Sequence, residues 1–408
     1  MRKLFYWGGA IAGTVGLGAF LFERAFRLPR RLAAVPWELT TRAVIPGIPG
    51  ARYLVGVDIE PFVQDVVAAR HREEEFLARS GHTGPLPPAD LLAISGGGDK
   101  GAFGAGLLCG WSASGNRPTF KSVSGISTGA LIAPLAFLGS EYDDLLKKIY
   151  TSVTPADIAK KRNLLAAIDN DAMADNRPLG GLISRSVGET LLSRIAEEHR
   201  KGRILLIGTT NLDARQPVIW NIGKIAASGD PKAYDLCRTI LLASAALPGA
   251  FPPSMVPVEV DGTPYEEMHV DGGASAQVFL YPPSMPGVAR TMGVEMKREG
   301  RVYIIRNSTL GATWSPIERR TINIAGHAIL SLIHTQGLGD LYRIYVTAQR
   351  DGFDFNLAYI GPDFTFQDKK EVYDTLYMKA LFDHGYNLGR QGCPWKNTPP
   401  GLETQLGL

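Results

Sequence analysis

The chain has 408 residues, 45% hydrophobic and 20% charged, with a formal net charge of +3. That is an ordinary globular composition with ample length for a large core. The charge is too balanced to argue for nucleic acid, and Cys109, Cys237 and Cys393, odd in number and without a CxxC spacing, argue against a disulfide framework or a zinc site while leaving one bridge open.

Met1-Arg2-Lys3 precede an uncharged run over residues 4–22, which meets Glu23 and then the basic Arg24, Arg27, Arg30 and Arg31. A helix of that length rises about 28 Å, close to the thickness of a bilayer core. Phe5-Tyr6-Trp7 suits a headgroup boundary. Three readings compete: an uncleaved anchor, a cleaved signal peptide, and a glycine-rich buried helix. No A-x-A cleavage site follows, which favours the anchor. Residues 1–28 are therefore expected to associate the protein with a membrane, with export after signal cleavage as the alternative. Basic residues at both ends leave the orientation open.

Residues 29–88 read as a linker and helical lead-in, interrupted by Pro29, Pro36, Pro46, Pro49 and Pro61. A helix is expected over 62–79 and a stiff loop over 84–88. A folded domain is expected over 89–395, with a tail at 396–408. Within it, short apolar runs predict strands at 91–95, 120–124, 203–211, 256–260, 269–270, 301–306 and 355–360. Helices are expected at 102–112, 128–138, 191–200, 233–246, 317–336 and 370–387. Strands alternating with helices indicate an α/β sheet covered on both faces.

Three motifs carry chemistry. Gly125-Ile126-Ser127-Thr128-Gly129 is a G-x-S-x-G pentapeptide between an apolar strand and an apolar helix, the context of a nucleophile elbow. Gly125 and Gly129 would let the chain turn sharply around an exposed serine at a helix N-terminus. Gly96-Gly97-Gly98-Asp99-Lys100-Gly101 follows a strand and opens a helix. Its G-x-G-x-x-G pattern would suit a dinucleotide, but the following strand lacks the acidic residue that reading needs. The other reading is an oxyanion hole of exposed backbone N–H groups. His269-Val270-Asp271-Gly272-Gly273 places an aspartate at a strand end, where desolvation would raise its basicity. Taken alone, each motif also reads as an ordinary turn.

With these three motifs in this order, residues 91–283 resemble the bacterial patatin-like phospholipases. The resemblance implies a three-layer α/β/α sandwich with a mostly parallel central sheet. It also implies a Ser–Asp dyad with Ser127 as nucleophile and Asp271 as base. The loop Gly96, Gly97, Gly98, Lys100 and Gly101 would form the oxyanion hole, with Gly97 and Gly98 donating. Gly272 and Gly273 would form the aspartate turn. Residues 243–253 are similar to the family's segment preceding the aspartate. An α/β-hydrolase triad is not excluded by chain order, since His327, His334 and His384 follow Asp271; His269 reads as a neighbour tuning the site.

The expected activity is hydrolysis of fatty-acyl esters through an acyl-enzyme, with no cofactor and no metal. The expected partners are a lipid or phospholipid substrate and a membrane surface. A membrane-tethered scaffold that kept the fold without turnover, and a dinucleotide-binding protein, are the alternatives. Oligomeric state is not readable.

Overall fold

The computed structural model describes residues 31–162, 171–295, 297–311, 314–367 and 369–402. The apolar run at 4–22 lies outside these residues. No described helix is long and apolar enough to cross a membrane.

In chain order the main sheet is built from β1 (Arg52–Leu54), β2 (Ala89–Ile94), β3 (Ser122–Ile126), β4 (Ile204–Asn211), β5 (Gln216–Asn221), β6 (Ser254–Val260), β7 (Thr263–Asp271), β8 (Gly300–Arg306) and β9 (Phe353–Tyr359). Their spatial order is β1-β5-β4-β3-β2-β8-β9, with the β6–β7 hairpin joined to β4. The strands β4, β3, β2, β8 and β9 run mutually parallel. Every residue of β2 and of β4 is buried, as expected for parallel strands covered on both faces.

Alternation along the strands divides the core into two layers. Leu92, Ile94, Val123, Leu205 and Ile207 point to one side. That side is covered by α2 (Gly101–Ala113), α3 (Thr128–Leu138), α4 (Ala233–Ser244) and α7 (Thr375–Arg390). Leu91, Ala93, Ile204, Leu206, Val302 and Ile304 point to the other side. That side is covered by α1 (Ile59–Arg79), α5 (Met285–Thr291) and α6 (Thr321–Asp351). The fold is thus an α/β/α sandwich with a mostly parallel sheet. On the first side α2 and α7 lie so close that a side chain at Gly106 or Gly110 would strike the carbonyls of Phe382 and Tyr386.

The register of β4 fixes the end of the sheet that matters. Along one edge of β4, residues Ile204 to Gly208 pair with Ser122 to Ile126 of β3. Residues Thr209 to Asn211 then pair, along that edge, with Asp271 to His269 of β7. Gly208 faces Ile126 and Thr209 faces Asp271, so β7 takes up the edge where β3 stops. That exchange brings residue 127 next to residue 271.

Some elements differ from expectation. The second strand begins and ends two residues later than the apolar run suggests, reaching Ile126. The helix expected at 317–336 spans Thr321–Asp351. It continues through Gly337, whose missing side chain makes room for Arg306 and Gln277. The final helix starts at Thr375 because the Asp374 carboxylate accepts from the amides of Leu376 and Tyr377. Strand β5 carries Pro217, and β7 carries Glu266 and Glu267, so neither reads as a buried strand. The stretch 29–88, expected as a connector, contributes β1 to the sheet and packs Phe62, Val63 and Ala69 of α1 into the core. One residue of the expected tail joins the sheet edge: Lys396 forms an antiparallel bridge with Leu357 of β9. Cys109, Cys237 and Cys393 are free and buried, and burial pushes each thiol up to about 12.

Candidate active site

Strand β3 ends at Ile126 and α3 begins at Thr128. Ser127 between them has φ 56° and ψ −125°, a left-handed conformation costly for a residue with a side chain. The flanking glycines serve a different purpose from the turn freedom expected of them. A side chain at Gly125 would strike the Gly129 carbonyl, and one at Gly129 would strike the carbonyls of Ile94 and Ser95. The glycines let the elbow wedge against the end of β2, while Ser127 itself carries the strain. Its amide donates to Ser244 Oγ at 3.0 Å, and Ser244 in turn donates to the Gly208 carbonyl at 2.7 Å.

Asp271 is 3% exposed at the end of β7. Its amide donates to the Ala246 carbonyl at 2.9 Å. Its Oδ1 accepts from the Gly273 amide at 2.7 Å, and the strand register sets Ser127 beside its carboxylate. Burial pushes the Asp271 carboxyl up to about 7, with the neighbouring Ser127 and the Gly273 amide acting in the opposite direction. Gly272 is small because a side chain there would strike the Gly208 carbonyl. Ser127 and Asp271 are therefore both steadied by the end of α4 and the residues just after it: Ser244 holds the serine, and Ala246 holds the aspartate.

The glycine loop divides unequally. The Gly96 amide donates to the Gln277 carbonyl at 3.1 Å, and the Lys100 amide to the Gly97 carbonyl at 3.2 Å. The Gly101 amide is held by Gly98 and Asp99 carbonyls. Among the described residues, the amides of Gly97 and Gly98 have no acceptor outside their own turn. Gly98 takes φ 59°, open to glycine without strain. Asn307, fully buried just past β8, braces the loop from behind. Its side chain accepts from the Gly104 amide at 3.0 Å and donates to the Ser95 carbonyl at 2.9 Å. The Ser95 hydroxyl donates to the Gly96 carbonyl at 2.7 Å.

Residues 92–282 match the family model described as patatin-like phospholipase. The chain carries a patatin-like phospholipase domain. A comparison with curated protein sequences gives no match. Among solved structures, the chain is similar to VipD from Legionella pneumophila at 12% identity and TM-score 0.34, over 74% of this chain and 66% of that one. It is similar to human GIVD cytosolic phospholipase A2 at 11% identity and TM-score 0.34, over 83% of this chain and 63% of that one. The chain thus spans somewhat less than two thirds of the length of either.

Around the motifs of the patatin-like domain the fold gathers residues that no motif marks. Tyr373, in the loop before α7, takes φ 63°. Its amide donates to Asp99 Oδ2 at 2.9 Å, and Lys369 pairs with the same oxygen at 2.7 Å. The Tyr373 ring is thereby held over the glycine loop, its hydroxyl 3.8 Å from where a Gly98 side chain would begin. Burial, then the charges of Asp99, Tyr150 and Asp271, push its hydroxyl above the usual range. Burial holds Lys100 below its ordinary value, and the neighbouring Lys369 and Arg306 add to the effect. His334 on α6 faces the same cluster, and burial, Arg306 and Lys100 all lower it.

The histidines take other partners. His269 is fully buried, with Nε2 against Glu267 at 3.0 Å and Nδ1 against Thr209 Oγ1 at 2.9 Å. Thr209 also accepts from the Trp220 indole at 2.8 Å, and Arg52 pairs with Glu267. His269 thus belongs to a network beneath the hairpin, and its ring bonds go to these two residues rather than to Asp271. His384 lies near Asp363 at 3.6 Å. Among the described residues no three His, Cys, Asp or Glu side chains cluster to hold a metal ion.

Proposed function

We propose that the protein hydrolyses fatty-acyl esters of lipids, with Ser127 as nucleophile and Asp271 as its base. The observation that carries this reading is the register that sets Ser127, at the end of β3, beside Asp271, a carboxylate that burial has pushed up to about 7. A carboxylate at its ordinary value near 4 is too weak a base for a serine hydroxyl; one poised near neutrality is suited to general-base work. As Oγ bonds to the acyl carbon, its proton passes to Asp271. The carbonyl oxygen becomes an oxyanion, to which the amides of Gly97 and Gly98 donate. The carbon–oxygen bond of the ester then breaks, and the leaving alkoxide takes the proton from Asp271. Water attacks the acyl-serine, gives its proton to Asp271, and releases the fatty acid while the proton returns to Ser127.

The surroundings favour a lipid aggregate over a dissolved ester. Helix α6 runs on for thirteen residues before His334, about 20 Å along its axis. Ile324, Leu330 and Leu332 are exposed along it, and Trp314 is 87% exposed just before it. Val372 and Leu376, flanking Tyr373, are exposed as well. Exposed apolar side chains grouped in this way suit a bilayer surface, and residues 4–22 would hold the protein there. The test is hydrolysis of phosphatidylcholine and phosphatidylglycerol vesicles, followed by release of free fatty acid. Wild type is expected to release it and Ser127→Ala to lose at least a thousandfold in rate; a Ser127→Ala protein with undiminished release would overturn the proposal.

A further inference from the structure

A cavity of about 650 Å³ opens at the opposite end of the sheet from Ser127, within the range of small-molecule sites, roughly 300–1,000 Å³. It lies at the amino ends of β2, β3, β4 and β9, where the α/β/α arrangement places no catalytic chemistry. Neither Ser127 nor Asp271 lines it. Ser122, at the start of β3, does; the run from there to Ser127 is about 16 Å of strand.

Its walls are apolar. Leu91 and Leu206 form the sheet side, and Phe62, Leu280, Met285 and Phe353 close over it from α1, the segment before α5, α5 itself and β9. The core is incomplete here because α1 and α5 pack on one half of this face and α6 on the other. The mouth is basic. Arg70, Lys121, Arg290, Lys297, Arg298 and Arg350 border it, against Glu295 and Asp351. Four of these cations are already engaged: Lys121 and Arg298 with Glu73, Arg350 with Asp351, and Arg70 with Glu74. Among the described residues, Arg290 and Lys297 pair with no acid. Counting Glu73 and Glu74 with the rim still leaves it net positive.

We propose that this cavity binds a long-chain fatty acid, with its chain against Leu91, Leu206, Leu280 and Met285 and its carboxylate at Arg290 and Lys297. An apolar slot closed by cations discriminates against neutral and cationic chains of equal length, because only an anion gains at the mouth. The binding itself stands apart from catalysis. Only the origin of the ligand rests on the proposed hydrolysis, whose product is a fatty acid; the site then senses product on the far side of the sheet.

The test uses the full chain and a palmitic acid carrying a diazirine in its acyl chain, with crosslinked peptides mapped by mass spectrometry. Crosslinks are expected in the peptides holding Tyr281 to Met285 and Phe62 to Val66, competed by palmitate. Hexadecanol and hexadecyltrimethylammonium should compete at least tenfold less well. Crosslinks confined to the peptides of Gly98, Ser127 and Tyr373, or none at saturation, would overturn the proposal; so would equal competition by all three chains. Leu280→Trp should abolish the distal crosslinks. The surface pair Arg290→Glu and Lys297→Glu, which leaves the core untouched should Leu280→Trp not fold, should weaken palmitate at least tenfold. Unchanged affinity in that pair would refute the assigned headgroup contact. None of these readouts needs turnover, so a failed vesicle assay leaves the binding result intact.

Discussion

At the scale of single residues, the site stores two unfavourable states. Ser127 sits at positive φ, and Asp271 is a carboxyl kept in a buried place. The first predicts that Ser127→Gly is more thermostable than Ser127→Ala, by about 1 kcal/mol, since glycine accepts that backbone freely. Thermal melts of the two variants check it. The second has a sign that can be worked out. Asp271 rises from 3.8 unfolded to about 7 folded, so between those values the folded state binds more protons than the unfolded one. Its contribution to stability is present below about pH 4 and is lost as pH rises through 7. Asp271→Asn cannot ionise and should escape this loss. We expect it to abolish turnover yet to be more stable than wild type at pH 8 by a few kcal/mol, on the order of the shift itself, with little difference at pH 4. Equal pH dependence of the two melting curves would contradict the burial account.

At the scale of elements, the elbow and the aspartate turn meet because β7 replaces β3 along β4. That exchange was only half legible. The strands β2, β3 and β4 announce themselves as apolar runs, and the helix at 128–138 was readable to the residue because apolar side chains cover all its faces. Strand β5 was hidden by Pro217, and most of β7 by Glu266 and Glu267. The burial of Glu267 becomes intelligible only once Arg52, some two hundred positions earlier, lies beside it. The motifs marked Ser127 and Asp271 and the glycines around them. They gave no hint of Asn307, Gln277 or Tyr373, whose loops reach the site only through tertiary packing. Ser244 and Ala246 lie in a segment that the resemblance alone marks; the physical reason for it, one bond each to the amides of Ser127 and Asp271, comes from the fold. Since Tyr373 is held by Asp99, Asp99→Asn should release its loop. The expected outcome is a fall of about tenfold in kcat/KM, with Ser127 still labelled by a fluorophosphonate. Unchanged kinetics would show that the Tyr373 loop does not contribute.

At the scale of the whole molecule, the two ends of the sheet differ in character. One end holds the proposed Ser127–Asp271 pair near exposed apolar side chains; the other opens a slot between helices. A protein that meets a bilayer with the first end should bind anionic vesicles through α6. Replacing Leu330 and Leu332 by Asp is predicted to reduce sedimentation with phosphatidylglycerol vesicles several-fold while sparing hydrolysis of a dissolved short-chain ester. Loss of both activities together would mean that α6 supports the site rather than the contact. The central claim is tested most directly by the rate at which an alkyl fluorophosphonate modifies Ser127 as a function of pH. The account predicts a rate that rises with a single midpoint near 7, and a slow, pH-independent rate in Asp271→Asn. A midpoint near 4, or labelling of Asp271→Asn as fast as wild type, would contradict it.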